Sequence, residues 1–128
     1  MRILLDTHVA LWAITDDLRL SAQARALIVQ PTNSVIVSAV SIWEIAIKHS
    51  LGRGEMPISG AEALGYFRAA GYLLLDVTPE HAAGVEQLPA VHADPFDRLL
   101  VAQALAEPLR LITHDATVAR YSDTIIQV

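Results

Sequence analysis

The chain has 128 residues, no cysteine and a formal net charge of −5, with a sequence pI near 5.4 and a mean hydropathy of +0.40. That length predicts one domain over residues 1–128, large enough to bury a core without staples, and the missing thiols exclude disulfides and thiolate metal sites. The acidic balance argues against sequence-independent binding to nucleic acid through a basic surface, but acids gathered on a metal ion lower the net charge themselves and leave metal-dependent chemistry open.

In chain order, short apolar runs alternate with helical patterns. The start, MRILLDTHVALWAI, is interrupted by Asp6 and His8 and lacks the layout of a signal peptide. Residues 3–6 read as a buried strand, followed by helices over 7–14 and 20–30 and a second strand over 34–38. A helix over 40–51 leads into LGRGEMPISG, the clearest loop, and then a helix over 59–70, so that two helices share one long crossover. A strand over 72–77, helices over 79–88 and 95–107, a strand over 110–113, a helix over 116–121 and a strand over 124–128 complete the chain. The strands are rich in Ile, Leu and Val with little polar alternation, as strands covered on both faces of a parallel sheet are. The expected class is α/β, with helices on both sides of a central parallel sheet of about five strands. No apolar run is long enough for a membrane span, and a cytoplasmic, membrane-free protein is expected.

Ligands of open α/β sheets sit beyond the carboxyl ends of the strands, and four places deliver acids there. Asp6 ends the first strand, Glu44 follows the second, Asp94 and Asp97 open the helix before the fourth, and Asp115 lies just past the fourth. Each has a structural explanation. Asp94 is a good N-cap, with Pro95 and Asp97 in the first turn. Ser41 and Glu44 fit a capping box. Glu44 and Lys48 are an i,i+4 pair, and Asp6 and Asp115 can each cap the next helix. Against these readings, the helix over 40–51 is apolar nearly all round, so a carboxylate on it needs a partner, either Lys48 or a metal ion. Converging carboxylates without Cys or a close His pair suit Mg²⁺ or Mn²⁺ rather than structural zinc.

The blocks ILLDTHVALWA, SAVSIWEIAIK, HADPFDRLLVAQA and LITHDATV, in this order and over essentially the whole chain, resemble the PIN-domain proteins, of the kind found as VapC-type toxins of toxin–antitoxin pairs. The resemblance implies that Asp6, Glu44, Asp97 and Asp115 are the four acids that bind one or two Mg²⁺ or Mn²⁺ ions. Asp94 matches the first acid of the DPFDR block and is assigned mainly the N-cap, with a supporting role; Thr7 and Thr113 would orient the acids or a water. The implied activity is metal-dependent endoribonuclease cleavage, in which water acidified by the ion attacks a phosphodiester in line and leaves a 5′-phosphate and a 3′-hydroxyl. The implied partners are an RNA substrate, a cognate antitoxin and a second copy of the chain in a homodimer.

The remaining candidates weigh less. His8, His49, His81, His92 and His114 form no ligand pair at helical spacing, and His92 or His114 as general base is a minor reading. Arg98 and Lys48 either touch RNA phosphate or pair with the adjacent carboxylates. Trp12 and Trp43 are expected in packing rather than in base stacking. Leu64, Tyr66, Phe67 and Tyr72 serve the core or an apolar groove for an antitoxin helix. Two rival functions stand beside the nuclease. One is a catalytically silent binding protein on the same fold. The other is a Mg²⁺-dependent receiver or phosphatase-like domain, for which Asp76 is the one candidate phospho-acceptor. Neither an Asp-x-Asp pair after the first strand nor a phosphate-cradling glycine loop is present.

Overall fold

The structure, a computed structural model, describes residues 1–52 and 56–128. Five short strands pair in parallel: β1 (Arg2–Leu5), β2 (Ser34–Ser38), β3 (Leu73–Leu75), β4 (Arg110–Thr113) and β5 (Ile126–Gln127), in the order β3-β2-β1-β4-β5. The register sets Leu5 opposite Val37 on one side and Ile112 on the other. Side chains alternate across a strand, so the hydrophobic run of β1 feeds two cores. Ile3 and Leu5 join Leu11, Val37, Ile45, Phe67 and Ile112 on one face. Leu4 joins Ile36, Leu100, Leu111 and Val118 on the other. Each fully buried Leu or Ile stabilises the fold by about 1.5–3 kcal/mol, which is why the central strand carries no polar residue between the exposed Arg2 and Asp6.

The described helices are α1 (Thr7–Ile14), α2 (Ala22–Val29), α3 (Ala39–Ser50), α4 (Gly60–Ala69), α5 (Pro79–Gly84), α6 (Pro95–Ala106) and α7 (Ala116–Ala119). Each begins after a residue whose side chain accepts a backbone N–H: Asp6, Ser21, Ser38, Ser59, Thr78, Asp94 and Asp115. These oxygens satisfy donors that the first helical turn leaves without partners. Gly60 starts α4 against α3, where an added Cβ would lie 2.7 Å from the Ala46 Cβ. Only glycine allows that approach.

The α/β class and the parallel five-stranded sheet are as expected, and α3 and α4 share the β2–β3 crossover. Residues 53–55 of the expected loop lie outside the described residues. The differences sit at element ends. Tyr72 and residues 76–77 fall outside β3, an edge strand whose Leu73 and Leu74 are exposed rather than covered. The helix expected over 79–88 stops at Gly84 and continues as a 3₁₀ turn, Val85–Gln87. Helix α3 starts at Ala39 under a Ser38 cap, so the proposed Ser41–Glu44 capping box is not formed. Ser41 lies in the first turn instead, fully buried, and its hydroxyl accepts from Thr7 Oγ1 at 3.0 Å.

Strands β2 and β3 lie to one side of β1, and β4 and β5 to the other. The connections therefore diverge at β1 and β4, and the crevice beyond their carboxyl ends is where such sheets bind ligands. Among the described residues, no helix is long and apolar enough to cross a membrane.

Candidate active site

A cleft of about 210 Å³ opens at that crevice. Five carboxylates line it, those of Asp6, Glu44, Asp94, Asp97 and Asp115, with Lys48, His8, His92 and His114 around them. All four sequence-predicted acids are thus brought together, and Asp94 joins them.

The capping and site readings of the aspartates turn out to be compatible, because a carboxylate has two oxygens. Asp6 Oδ1 caps α1 by accepting from Val9 N at 2.9 Å, while Oδ2 accepts from Thr113 Oγ1 at 2.5 Å. Asp94 uses Oδ1 for both Phe96 N and Asp97 N, at 2.8 and 3.1 Å. Asp115 uses Oδ1 for Thr117 N and Val118 N, at 2.7 and 3.4 Å. One oxygen orients each side chain against its helix, and the other oxygen of the same group is not engaged by the cap. Thr113, fully buried at the end of β4, serves two acids: its hydroxyl donates to Asp6 and accepts from Asp115 N at 3.0 Å. Its expected supporting role has this geometry. Thr7 instead ties α1 to α3 through Ser41.

Helix α3 is turned opposite to an ordinary surface helix. Its polar residues Ser41 and Glu44 face inward, with Glu44 only 3% exposed, while Trp43 stands 55% exposed and packs edge-on against Phe96 at 5.0 Å. Lys48 meets Glu44 Oε2 at 2.5 Å. Glu44 Oε1 is buried with no hydrogen-bond partner. Leaving a buried carboxylate oxygen unpaired is costly, and this atom is open to a ligand. The donor set fits a hard divalent cation, which carboxylate oxygens favour.

The field in the cleft is written in two groups. Burial pushes the Asp97 carboxyl up to about 6, reinforced by the charge of Asp94, opposed by the hydrogen bond from His92, and raised further by Asp6 and Glu44. The His114 imidazole, 3.7 Å from Asp6 Oδ2, is raised, first by its polar contact with that carboxylate; desolvation opposes this, and the charges of Asp6, Asp115 and Asp97 add to it. The leading causes differ, burial for Asp97 and the Asp6 carboxylate for His114, and the surrounding negative charge adds to both.

His92, a minor candidate in the sequence, stands against the acids. Its Nε2 lies 2.9 Å from Asp97 Oδ2, and His92, Asp94 and Asp97 offer ligand atoms all within 4.8 Å of one another. The available signal was the H-x-D-x-x-D spacing across a helix start, hidden by a search for His pairs on one helix. His8, Trp12 and His114 also form an aromatic cluster at the rim, with ring centroids 4.8–5.8 Å apart.

Other expectations are redirected. Arg98 does not pair with the adjacent carboxylates: its guanidinium donates to the carbonyls of Val85, Pro89 and His92 and to Tyr121 Oη, at 3.0–3.4 Å. Trp12 is core, but Trp43 is not. Phe67 is fully buried and stacks on Tyr72, whereas Leu64 is half-buried and Tyr66 is exposed. Asp76 is exposed beyond the edge strand β3 and does not line the cleft. A receiver would need it there.

The PIN domain family matches residues 3–123. Ribonuclease VapC22 of Mycobacterium tuberculosis is 33% identical over 114 residues, which span 88% of this chain and 86% of that protein. The VapBC2 complex of Rickettsia felis, solved bound to a DNA fragment from its promoter, shares the fold with a TM-score of 0.72 at 17% identity, over 100% of this chain and 98% of that one. VapC20 of Mycobacterium tuberculosis, a toxin that cleaves the sarcin–ricin loop, does so with a TM-score of 0.67 at 14% identity, over 98% of each chain. Since the family match takes in every acid of the cleft and the likeness to VapC22 extends over most of both chains, this chain belongs to the PIN-domain family, among its VapC ribonucleases.

Proposed function

We propose that this protein is a Mg²⁺- or Mn²⁺-dependent endoribonuclease, the toxin of a toxin–antitoxin pair, with Asp6, Glu44, Asp97 and Asp115 as its metal ligands. The observation that carries the metal dependence is Glu44 Oε1, buried without a partner in a cleft of five carboxylates. A divalent ion held there acidifies water for attack on phosphorus and offsets charge on the phosphoryl oxygens.

The chain's own residues prepare that site. Thr113 and the α1 N-terminus hold Asp6 from both sides. Lys48 fixes one oxygen of Glu44 and leaves the other to a ligand. Asp97, poised near 6, gives up its proton as a cation arrives. Without the ion, the carboxylates repel a phosphodiester, so metal binding precedes productive RNA binding. The VapBC complexes among the structural neighbours support a cognate antitoxin as partner. RNA as substrate, a homodimer and a cytoplasmic location belong to the same reading.

The test is cleavage of total cellular RNA by purified protein with Mg²⁺, with EDTA, and by Asp97→Asn. Discrete products with 5′-phosphate ends that vanish with EDTA and in the variant are expected. Cleavage that persists in EDTA would overturn metal dependence.

A further inference from the structure

We propose that His92 supplies a nitrogen ligand to this metal site, and that the imidazole shifts its preference from Mg²⁺ toward Mn²⁺. The inference rests on the metal-site reading above and adds a ligand of a different chemical type. In an octahedral site with bonds of about 2.1 Å, neighbouring donors lie about 3 Å apart and opposite ones about 4.2 Å. The 2.9 Å between His92 Nε2 and Asp97 Oδ2, a hydrogen bond when no ion is bound, is also the spacing of neighbouring positions on one ion. The mutual 4.8 Å limit on His92, Asp94 and Asp97 is close to the span of one coordination sphere. Glu44 Oε1, unpartnered and almost wholly buried in the same cleft, is the independent sign that a cation belongs there.

The fold also holds His92 still. Its N–H donates to Tyr121 Oη at 2.9 Å, and its carbonyl accepts from the Tyr121 hydroxyl at 3.3 Å and from Arg98 at 3.4 Å. Arg98 in turn donates to Tyr121 Oη at 3.0 Å. A residue outside any helix or strand is thereby tied to α6 and to the turn after α7. This is the kind of support that fixes a ligand's orientation. To bind, the ring presents the Nε2 lone pair and keeps its proton on Nδ1. Imidazole nitrogen suits first-row transition ions better than Mg²⁺, and Mn²⁺ is the one among them that shares the liking of Mg²⁺ for carboxylate oxygen.

The test uses Mn²⁺ as probe on the full chain. Pulsed electron paramagnetic resonance of the Mn²⁺-loaded wild type should show the ¹⁴N coupling of a directly bound imidazole. The coupling should be lost in His92→Gln and kept in His114→Gln. Calorimetric titration should show His92→Gln weakening Mn²⁺ binding about 10-fold or more, with a smaller loss for Mg²⁺. Bound Mn²⁺ without ¹⁴N coupling in the wild type, a result that needs no variant to fold, overturns the inference and leaves the carboxylate site standing. Coupling that survives in a folded His92→Gln also overturns it. A wild type that binds no Mn²⁺ overturns the metal-site reading itself.

Discussion

Helix α6 carries a polar side chain into each of two enclosed places, Asp97 near its start and Gln103 farther along. Around Gln103, Oε1 accepts from the Ser38 hydroxyl at 2.5 Å, and Nε2 reaches the Asp76 carbonyl at 3.2 Å and His81 Nδ1 at 3.3 Å. His81 Nδ1 accepts from Thr78 N at 3.0 Å, which places the ring proton on Nε2, 2.5 Å from Glu107 Oε2. His81 and Gln103 are as buried as Glu44, yet among the described residues Glu44 Oε1 is the one buried side-chain oxygen or nitrogen without a partner. Burial of polar groups therefore does not mark a functional site in this molecule. What sets the candidate site apart is burial that the protein leaves incomplete, since a structural network closes on itself.

That contrast is open to attack on both sides. The largest effect belongs to the cleft: Asp6→Asn and Asp97→Asn should each lower RNA cleavage about 100- to 1,000-fold, in the range seen when one electrostatic group of an active site is removed, with far-UV circular dichroism unchanged. A variant that cleaves at the wild-type rate removes that residue from the site. Next comes the closed network. Gln103→Leu strands the Ser38 hydroxyl and the Asp76 carbonyl, and should cost about 2–3 kcal/mol in urea unfolding while leaving Mn²⁺ affinity intact. A loss of metal affinity at unchanged stability would reverse the roles assigned to the two clusters.

The third prediction concerns pH without metal. Asp97 titrates near 6 in the folded protein against an ordinary 3.8. Between those values the folded state binds more protons than the unfolded one, so stability falls as pH rises through the window. The cost, complete above the folded value, is about 3 kcal/mol. Metal-free protein should therefore melt lower at pH 7.5 than at pH 5, Asp97→Asn should flatten that slope, and Mg²⁺ should raise the melting temperature more at the higher pH. Calorimetric scans at the two pH values check all three. The smallest effect is that of Glu44→Gln, which keeps the shape of the side chain and removes one ligand charge. Mn²⁺ affinity should fall about 10-fold, while the stability of the metal-free protein should change little, because the neutral amide escapes the burial cost of the carboxylate and Lys48 stays in reach of water. A strongly destabilised Glu44→Gln would mean that the ion pair with Lys48, not a cation, is the reason for the buried glutamate.

Much of this was legible in the chain alone. The apolar runs gave the parallel sheet and its order of elements, because two-sided burial leaves a local signature in Ile, Leu and Val. The helix starts were legible for the same reason: caps are interactions over two or three residues. The errors were also local in kind. Ser41 looked like a cap only because Ser38, the actual cap, reads as the end of a strand, and 72–77 looked like a covered strand because sequence does not say which strand lies at an edge.

By itself the sequence determined the α/β class, the four acidic positions and their delivery to one edge of the sheet, since periodicity, capping and strand-end placement depend on near neighbours. Only the tertiary structure decided how those acids are used. It set Thr113 against Asp6 across 107 positions, turned the polar stripe of α3 inward so that one oxygen of Glu44 lacks a partner, brought His92 onto Asp97, and drew Arg98 onto carbonyls instead of the adjacent carboxylates. Charge, burial and unmet hydrogen bonding are properties of a place in space, and that place exists only once distant segments have packed around it.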